Sequence, residues 1–366
     1  MGRDVTPSFE PAAAARVVEA LQRGQDFAAR NDPRAALACY DEAAAIARTL
    51  PTSALEARRL QGIVAMNRGN ALQKISAPDF PGEAVRAYDE AIARFETLPL
   101  EETPEFRNHL GAAWLNRGHA LLAGSAAADA AVAFERAAAH LEKLPLDEDV
   151  SYRLNLAGAR SNLAHVAIAS DPVRARDLAR AALALLDGYE RAHPALVEMS
   201  LRARRALVMA IGSLLSGMGV PPMGLSESGP DIRTTHPNLL SEATDAVDDG
   251  LTLARECEAH GFAHLRPLAL RLFRLGAQLY GTHQPHFLAE FVLENLGDGA
   301  FANDAGFRTA ADEALSSALA ELNKPQRLFV GDAASTQQLE TAQSLRAAQT
   351  QLSALGSPLS ALSSQL

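Results

Sequence analysis

Small and apolar residues recur along this chain with the spacing of α-helices. Between residues 111 and 145, gaps of four and three positions separate Trp114, Gly118 and Leu121, and then Ala130, Phe134 and Ala137. Residues three and four apart lie on one side of a helix, so each segment predicts an amphipathic helix. The break between the two segments predicts a helical hairpin. Gly118 is expected to let the two helix backbones of this hairpin approach closely. Trp114 and Phe134 are expected to fill the seam, which is the remaining space between the two helices.

The pattern is repeated through the first half of the chain. A glycine is followed by a small residue, an aromatic residue and an alanine in three places: Gly24 with Ala36, Tyr40 and Ala43, Gly69 with Ala84, Tyr88 and Ala91, and Gly118 with Ala130, Phe134 and Ala137. Each copy ends on a Leu-Pro pair, beginning at Leu50, Leu98 or Leu144. A fourth, weaker copy starts near Asn155 and lacks the aromatic residue. These coincidences indicate an internal repeat.

These residues resemble the tetratricopeptide repeat (TPR), a helical hairpin with a Trp and a Gly in its first helix and Ala, an aromatic residue and Ala in its second. The period here is about 45 to 48 residues, against 34 in the typical repeat. Helices of roughly 20 residues, on the order of 30 Å long, would account for the difference. This long form resembles the TPR arrays of kinesin light chains and O-GlcNAc transferase. The resemblance implies a right-handed superhelix of antiparallel hairpins whose concave groove binds other proteins.

The whole chain is predicted to be all-α, because alternation of apolar and polar residues is almost absent. Four helix pairs are expected over residues 11–30 with 33–49, 53–76 with 82–97, 104–123 with 126–143, and 149–169 with 172–187. Further helices are expected near 194–216, 238–259, 268–296, 307–322 and 335–355. This gives five parts: a flexible N-terminus (1–10), a TPR-like solenoid (11–216), a Gly/Pro-rich loop (217–237), a degenerate TPR-like helical region with a capping helix (238–355), and a tail (356–366).

Two of these parts have two interpretations each. The loop at 217–237 is too rich in Gly and Pro to be helical, and is either a linker or a loop that contacts a ligand. The last helix carries Leu345, Ala348 and Leu352 at helical spacing. This stripe either caps the solenoid, whose last apolar face needs a cover, or forms a short dimerisation helix.

Composition narrows the class of partner. The chain has 366 residues, 48% of them hydrophobic, with a formal net charge of -10. Nucleic acid is not expected as a partner, because phosphate neutralisation needs clustered basic residues. No apolar run reaches the roughly 18 residues of a membrane helix. Two cysteines, Cys39 and Cys257, form no disulfide framework. We therefore expect a soluble cytoplasmic protein, and the preference for Arg over Lys suggests a bacterial source.

Carboxamide side chains recur at one place on the first helix of each repeat. Two positions before the glycine of each repeat, or before Ala164 in the fourth copy, the first row consists of Gln22, Asn67, Asn116 and Asn162. Three residues later, the second row consists of Gln25, Asn70, His119 and His165. An amide offers donors and acceptors that match a peptide backbone. The rows resemble the asparagine ladders of kinesin light chains and O-GlcNAc transferase. They predict a peptide-binding groove in which the first row holds the backbone and the second row adds selectivity.

Other roles for the same residues stay open. The amides could instead form hydrogen bonds between neighbouring repeats, or do neither. His119 and His165 are either protonatable groove residues or neutral hydrogen-bonding residues. Chaperone-binding TPR domains place a lysine three positions before the glycine, but this chain has Leu21, Met66 and Leu115 there. A co-chaperone role is therefore not expected.

The sequence favours a non-enzymatic scaffold for protein-protein interaction. Phosphate-binding and hydrolase motifs are absent. No cofactor or metal is expected, although Cys257, His260 and His264 are metal-ligand residue types at plausible spacing. One alternative is a ligand-responsive regulatory subunit that binds a small molecule in the 238–322 region. Another is a self-assembly module in which the C-terminal helix makes a homo-oligomer.

Overall fold

The computed structural model describes residues 10–75, 80–217, 237–296, 301–323 and 332–355. Within these ranges the chain forms fourteen α-helices and two short 3-10 turns, and contains no β-strand. The prediction of an all-α protein built from antiparallel helix pairs is confirmed. The predicted helix bounds differ from the observed ones by only a few residues.

The helices fall into two compact units, Met1–Val166 and Ala167–Leu366. The division lies inside the segment 11–216, which the sequence pattern presents as one solenoid. Most of the predicted loop at 217–237, the tail at 356–366 and residues 1–9 of the N-terminus lie outside the described residues.

The first unit consists of three helical hairpins and one further helix. Its helices are α1 (Pro11–Ala29), α2 (Pro33–Ala47), α3 (Leu55–Lys74), α4 (Phe80–Phe95), α5 (Pro104–Ala123), α6 (Ala127–Leu141) and α7 (Val150–Ala167). α1 packs on α2, α3 on α4, and α5 on α6. Successive hairpins also pack on each other, through α2 with α3 and α4 with α5. We call α2/α3 the first junction and α4/α5 the second.

Local sequence explains where these helices begin. α1, α2 and α5 start on a proline, whose missing N–H is not needed in the first turn. The Asp32 carboxylate accepts a hydrogen bond from the Ala35 N–H at 3.0 Å and thereby caps α2.

Each hairpin is closed by a glycine against an aromatic ring, as the repeat predicts. A Cβ atom on Gly24 would lie 2.3 Å from the Tyr40 ring, one on Gly69 would lie 2.6 Å from the Tyr88 ring, and one on Gly118 would lie 2.3 Å from the Phe134 ring. These distances exclude any side chain, so each glycine is required by the close approach of its ring. We call these residues the seam glycines and the seam rings.

Trp114 does not share in this seam. Its ring is half-buried and packs against the core formed by Phe95, Leu110 and neighbouring residues of α3, α4 and α5. The guanidinium carbons of Arg117 and Arg136 each lie 5.5 Å from its ring centroid. Phe134 alone fills the space beside Gly118, so the prediction that Trp114 fills the seam is wrong.

A second contact closes the other end of two hairpins. A Cβ atom on Gly62 would lie 2.4 Å from the Phe95 ring, and one on Gly111 would lie 2.5 Å from the Leu141 side chain. The first hairpin has Val17 and Ala47 at the corresponding positions. Here the larger residue is on the first helix and the smaller one on the second, the reverse of the other two hairpins.

The second unit has a less regular helix order. Its helices are α8 (Pro172–Leu186), α9 (Pro194–Gly217), α10 (Pro237–Ala259), α11 (Arg266–His283), α12 (Pro285–Leu296), α13 (Ala305–Leu322) and α14 (Asp332–Leu355). Its core contains stacked aromatic rings, with the Phe273 centroid 5.2 Å from that of Phe291 and the Phe301 centroid 4.1 Å from that of Phe307. Gly276 repeats the seam, because its Cβ atom would lie 2.8 Å from the Phe291 ring.

The last helix covers its neighbours with its apolar stripe. Leu345, Ala348 and Leu352 are buried, and α14 packs on α12 and α13. Among the described helices, none is long and apolar enough to cross a membrane.

Candidate functional site

The eight predicted binding residues lie on α1, α3, α5 and α7. Gln22, Gln25 and His165 are exposed, whereas the other five are half-buried. On each helix the two residues are three positions apart, so they share one side of it. We call this side of the four helices the amide face, and its predicted residues are Gln22, Gln25, Asn67, Asn70, Asn116, His119, Asn162 and His165.

The amides of neighbouring repeats contact each other on this face. The Asn116 Nδ2 atom donates a hydrogen bond to the Asn70 Oδ1 atom at 3.1 Å. The Asn162 Nδ2 atom lies 2.8 Å from the His119 Nε2 atom. With this amide orientation the imidazole nitrogen accepts, so the proton of a neutral His119 is assigned to Nδ1. In both contacts the first-row residue of one repeat, Asn116 or Asn162, therefore bonds to the second-row residue of the preceding repeat, Asn70 or His119.

The inter-repeat bonds do not use all of the hydrogen-bonding capacity of these amides. A carboxamide has two donors and two acceptor sites, and the Asn116 bond uses one of its donors. Asn67 is half-buried and forms no hydrogen bond with Gln25, its counterpart at the first junction. A bridging role and a binding role for this face are therefore compatible.

Tyr88 and Gln73 support the bond between Asn70 and Asn116. The Tyr88 hydroxyl lies 2.8 Å from Asn70 Oδ1 and 2.9 Å from Gln73 Oε1, and its single proton serves one of them at a time. Gln73 Nε2 donates to the backbone oxygen of Asn116 at 3.2 Å. Burial raises the pKa of Tyr88, so the hydroxyl keeps its proton and acts as a donor at neutral pH. Tyr88 is predicted from the sequence only as the aromatic residue of its repeat, and Gln73 is not predicted at all.

A second bond between two amides lies nearer the start of α5. The Asn155 Nδ2 atom on α7 donates to the Asn108 Oδ1 atom at 2.9 Å. The sequence contains a weak signal for this pair, because each asparagine precedes the small residue of its own repeat by nine or ten positions.

Apolar side chains continue the amide face. Val18 is half exposed, and Ile63 and Ala112 are half-buried. Each precedes a first-row amide by four positions, and so lies one turn away on the same side of its helix. The face thus presents an uncharged apolar row beside two rows that are mainly amides.

Ion pairs cross the junctions as well. Arg68 on α3 bonds Asp41 on α2 at 2.7 Å, and Arg117 on α5 bonds Asp89 on α4 at 2.7 Å. Each arginine directly precedes a seam glycine and each aspartate directly follows a seam ring. This repeated pattern is a sequence signal for the ion pairs, but it is not among the predictions made above.

The metal-ligand residue types in the second unit do not assemble. Cys257 is buried, and that burial raises the pKa of its thiol. In the part of the chain that the structure describes, no group of three or more His, Cys, Asp or Glu residues could hold a metal ion.

The second unit contains an open cleft between α10, α11 and α12. Its volume is about 480 Å³, and Thr244, Asp248, Tyr280 and Phe287 are among its lining residues. The Tyr280 hydroxyl donates to an Asp248 carboxylate oxygen at 3.0 Å. Desolvation raises the pKa of Asp248 to about 6 despite this bond.

Comparison with known proteins yields only remote likeness. No protein-family model matches the chain, and no curated protein matches it. The nuclear import adaptor Nro1 of S. pombe is 12% identical with a TM-score of 0.41, over 91% of this chain and 98% of that one. The TPR domain of P58(IPK) is 17% identical with a TM-score of 0.14, over 92% and 99% of the two chains. Naa15/Naa10 bound to HypK-THB is 14% identical with a TM-score of 0.16, over 88% and 59%. Similarity this low supports no conclusion about the function of this chain.

Proposed function

We propose that the chain is a non-enzymatic interaction scaffold whose amide face binds an extended segment of another protein. The observation that supports this proposal is the recurrence of amides on α1, α3, α5 and α7. The hydrogen bonds between repeats leave some of the donors and acceptors of these amides unused. A solenoid that needed only packing could place apolar or charged residues at these positions.

The chemistry of the face suits a peptide main chain. An extended segment presents alternating N–H and C=O groups, and a carboxamide can both donate to them and accept from them. The apolar row of Val18, Ile63 and Ala112 supports side chains of modest size. Because the predicted rows carry no carboxylate, ammonium or guanidinium group, we expect the bound segment to be largely uncharged.

The test for a partner compares two variants. One removes amides that form no hydrogen bond across a junction, and the other removes amides of the second unit. The binding variant is Gln22→Ala with Gln25→Ala and Asn67→Ala, since none of these residues bonds a neighbouring repeat. The control changes Gln278, Asn323 and Gln351 to Ala, which are exposed residues of the second unit. Wild type, variant and control are used for affinity capture from lysate, and bound proteins are identified by mass spectrometry.

We expect a partner that wild type and control retain and the binding variant loses, with equal helical circular dichroism for all three. Synthetic peptides from that partner then test the mode of binding. N-methylation of alternate backbone nitrogens should abolish binding, whereas single side-chain changes should weaken it only modestly. A partner retained by the binding variant, or peptides insensitive to N-methylation, would contradict the proposal.

A second function is suggested by the cleft of about 480 Å³ in the second unit, lined partly by Tyr280 and Phe287. Such a volume accommodates a small organic molecule. In this proposal the second unit is a ligand-responsive regulatory region. A thermal-shift screen of metabolites should then find one that stabilises wild type but not a Tyr280→Ala variant, and a screen with no such compound would argue against it.

A further inference from the structure

The cleft between α10, α11 and α12 has a negatively charged lining. Its described lining residues include four carboxylates and no lysine, arginine or histidine. The carboxylates form two pairs, Asp245 with Asp248 on α10 and Glu290 with Glu294 on α12. The members of each pair are three or four positions apart, so each pair follows one side of its helix. All four residues are exposed, so a molecule in the cleft can reach them.

Other carboxylates of α10 have cationic partners, whereas those in the cleft do not. Asp245 accepts a hydrogen bond from the Ser241 hydroxyl at 3.3 Å, and Asp248 accepts one from the Tyr280 hydroxyl at 3.0 Å, so both described partners are uncharged. Three glutamates of the same helix instead pair with arginines, namely Glu242 with Arg176, Glu256 with Arg191, and Glu258 with Arg266.

The electrostatics of Asp248 show that the two walls of the cleft face a common space. Desolvation raises the pKa of this carboxyl, and the negative charges of Glu294, Asp245 and Asp249 raise it further. Glu294 belongs to the opposite wall, so its charge acts across the cleft. The negative charge of the cleft therefore lacks a compensating cation among the residues that line it.

The four carboxylates are nevertheless too far apart to surround one ion. Within the described ranges, no three His, Cys, Asp or Glu residues are placed so that they could hold a metal ion. A ligand that matches this arrangement carries its positive charges at separate points.

Aromatic rings give the cleft an apolar part as well. The Phe287 ring is 45% exposed, and the centroids of the Tyr280 and Phe291 rings lie 4.7 Å apart. Aromatic faces attract cations, and apolar surface such as a methylene chain is stabilised when it leaves water. An exposed ring in the same cleft as four carboxylates suits a ligand that has both an apolar chain and ammonium groups.

We propose that the cleft binds a linear aliphatic polyamine, whose ammonium groups pair with the carboxylates of the two walls and whose methylene groups lie on Phe287. This inference rests on the second function proposed above, in which the second unit binds a small molecule, and it names the class of that molecule. The volume of about 480 Å³ is typical of small-molecule sites. A metal ion has no apolar chain, and a monoamine has a single charge. A polyamine uses both the charged and the apolar parts of the cleft.

Calorimetric titration of the full chain with spermidine at pH 7.5, at constant ionic strength, tests this site. Glu290→Gln with Glu294→Gln removes the carboxylates of one wall, and should weaken binding about tenfold through the loss of two exposed charge pairs. Phe287→Ala removes the exposed ring and should weaken binding about threefold. Asp177→Asn with Asp187→Asn, an equal change of charge on exposed residues elsewhere in the second unit, should leave the affinity unchanged.

Three further titrants identify the ligand chemistry. Butylamine has one ammonium group and Mg²⁺ has no apolar chain, so each should bind about tenfold more weakly than spermidine. A tetralysine peptide carries its ammonium groups on a protein segment. Tighter binding of tetralysine would overturn the assignment to a free polyamine, and equal affinity for Mg²⁺ would overturn the role of the aromatic rings.

The inference and the second proposed function can fail separately. The absence of saturable one-to-one spermidine binding to wild type, or wild-type affinity in both cleft variants, would overturn the polyamine site. If spermidine fails and an uncharged compound from the thermal-shift screen stabilises wild type but not Tyr280→Ala, this inference is wrong and the second function stands.

Discussion

The first and second junctions of unit 1 join equivalent helices but are built from different side chains. At the second junction Phe95 and Leu110 fill the space between hairpins, and both are fully buried. At the first junction Ala47 and Gln61 occupy the same positions. The seam glycines, the seam rings and the Arg-Asp ion pairs are common to both. The repeat therefore specifies how two helices pair within a hairpin, whereas the side chains between hairpins differ from one junction to the next.

The two junctions also differ on the amide face. The second junction has the Asn116 to Asn70 bond in addition to the Arg117 to Asp89 ion pair. The first junction has the Arg68 to Asp41 ion pair, but Asn67 and Gln25 form no bond with each other. On the amide face, a side-chain bond therefore joins the second and third hairpins but not the first and second. The first and second hairpins are joined instead by the bonds from Gln61 Nε2 to the backbone oxygens of Ala47 and Leu50.

The largest effect is expected when the second junction is made to resemble the first. Phe95→Ala removes a fully buried ring that packs against Gly62 and stacks on His109, with a centroid distance of 5.5 Å. We expect a loss of about 4 kcal/mol in the free energy of unfolding, measured by urea denaturation. Phe287→Ala, at a ring that is 45% exposed, is the matched control and should cost far less. A loss at Phe95 no larger than the control would show that side-chain volume does not distinguish the junctions.

A smaller effect should separate the amides of the two junctions. Asn116→Ala leaves Asn70 without one donor and should cost about 1 kcal/mol, the usual contribution of one hydrogen bond. Asn67→Ala breaks no bond between repeats and should have little effect on unfolding. A double-mutant cycle of Asn116→Ala with Asn70→Ala isolates the coupling between the two amides. Equal costs at Asn67 and Asn116 would mean that the second junction gains nothing from its amide bond.

The smallest effect concerns pH and again involves only the second junction. His109 stands where the first junction has Leu60, and burial lowers its pKa, an effect that Glu105 opposes and Arg59 reinforces. Because the folded pKa lies below the unfolded value, the folded protein binds the proton less well than the unfolded chain. Stability should therefore be fully present above about pH 6.5 and fall as the pH decreases below it.

Urea denaturation of wild type and His109→Leu at pH 7.5 and pH 5 measures this dependence. The variant should lose less stability between the two pH values than wild type does. His264→Leu, at an exposed histidine of the second unit, should leave the wild-type dependence unchanged. If His109→Leu and wild type lose the same amount, His109 does not titrate with the expected sign.

The sequence predicts those parts of this structure that depend on the spacing of residues within one repeat. The helices and the contacts of Gly24, Gly69 and Gly118 with their seam rings follow from intervals within one repeat. The partner of Asn116 does not, because it depends on how far one hairpin is staggered against the next. Equivalent positions suggest Asn67 as its neighbour, but the observed stagger brings Asn70 to it instead.

A small pocket at the first junction, with a volume of about 130 Å³ and with Ala47 and Gln61 among its lining residues, could not be predicted for a related reason. Its polar character is visible only when Gln61 is aligned with Leu110 and Ala47 with Phe95, and the alignment becomes meaningful once those residues are known to face each other. The role of Trp114 also required the structure. Its spacing from Gly118 fits the seam, but Phe134 already fills that space.

The unequal polar contacts at the two junctions have a mechanical consequence. Contacts on the amide face and an ion pair together oppose bending at the second junction. The first junction has its ion pair and the bonds from Gln61 to the Ala47 and Leu50 backbone oxygens, but Asn67 and Gln25 form no bond with each other on the amide face. Arg68 and Asp41 are both partly exposed, so added salt weakens the attraction between them. We therefore expect the first hairpin to swing more freely than its neighbours, and to do so increasingly as the ionic strength rises. The width of the amide face between α1 and α3 would then respond to the salt concentration of its surroundings.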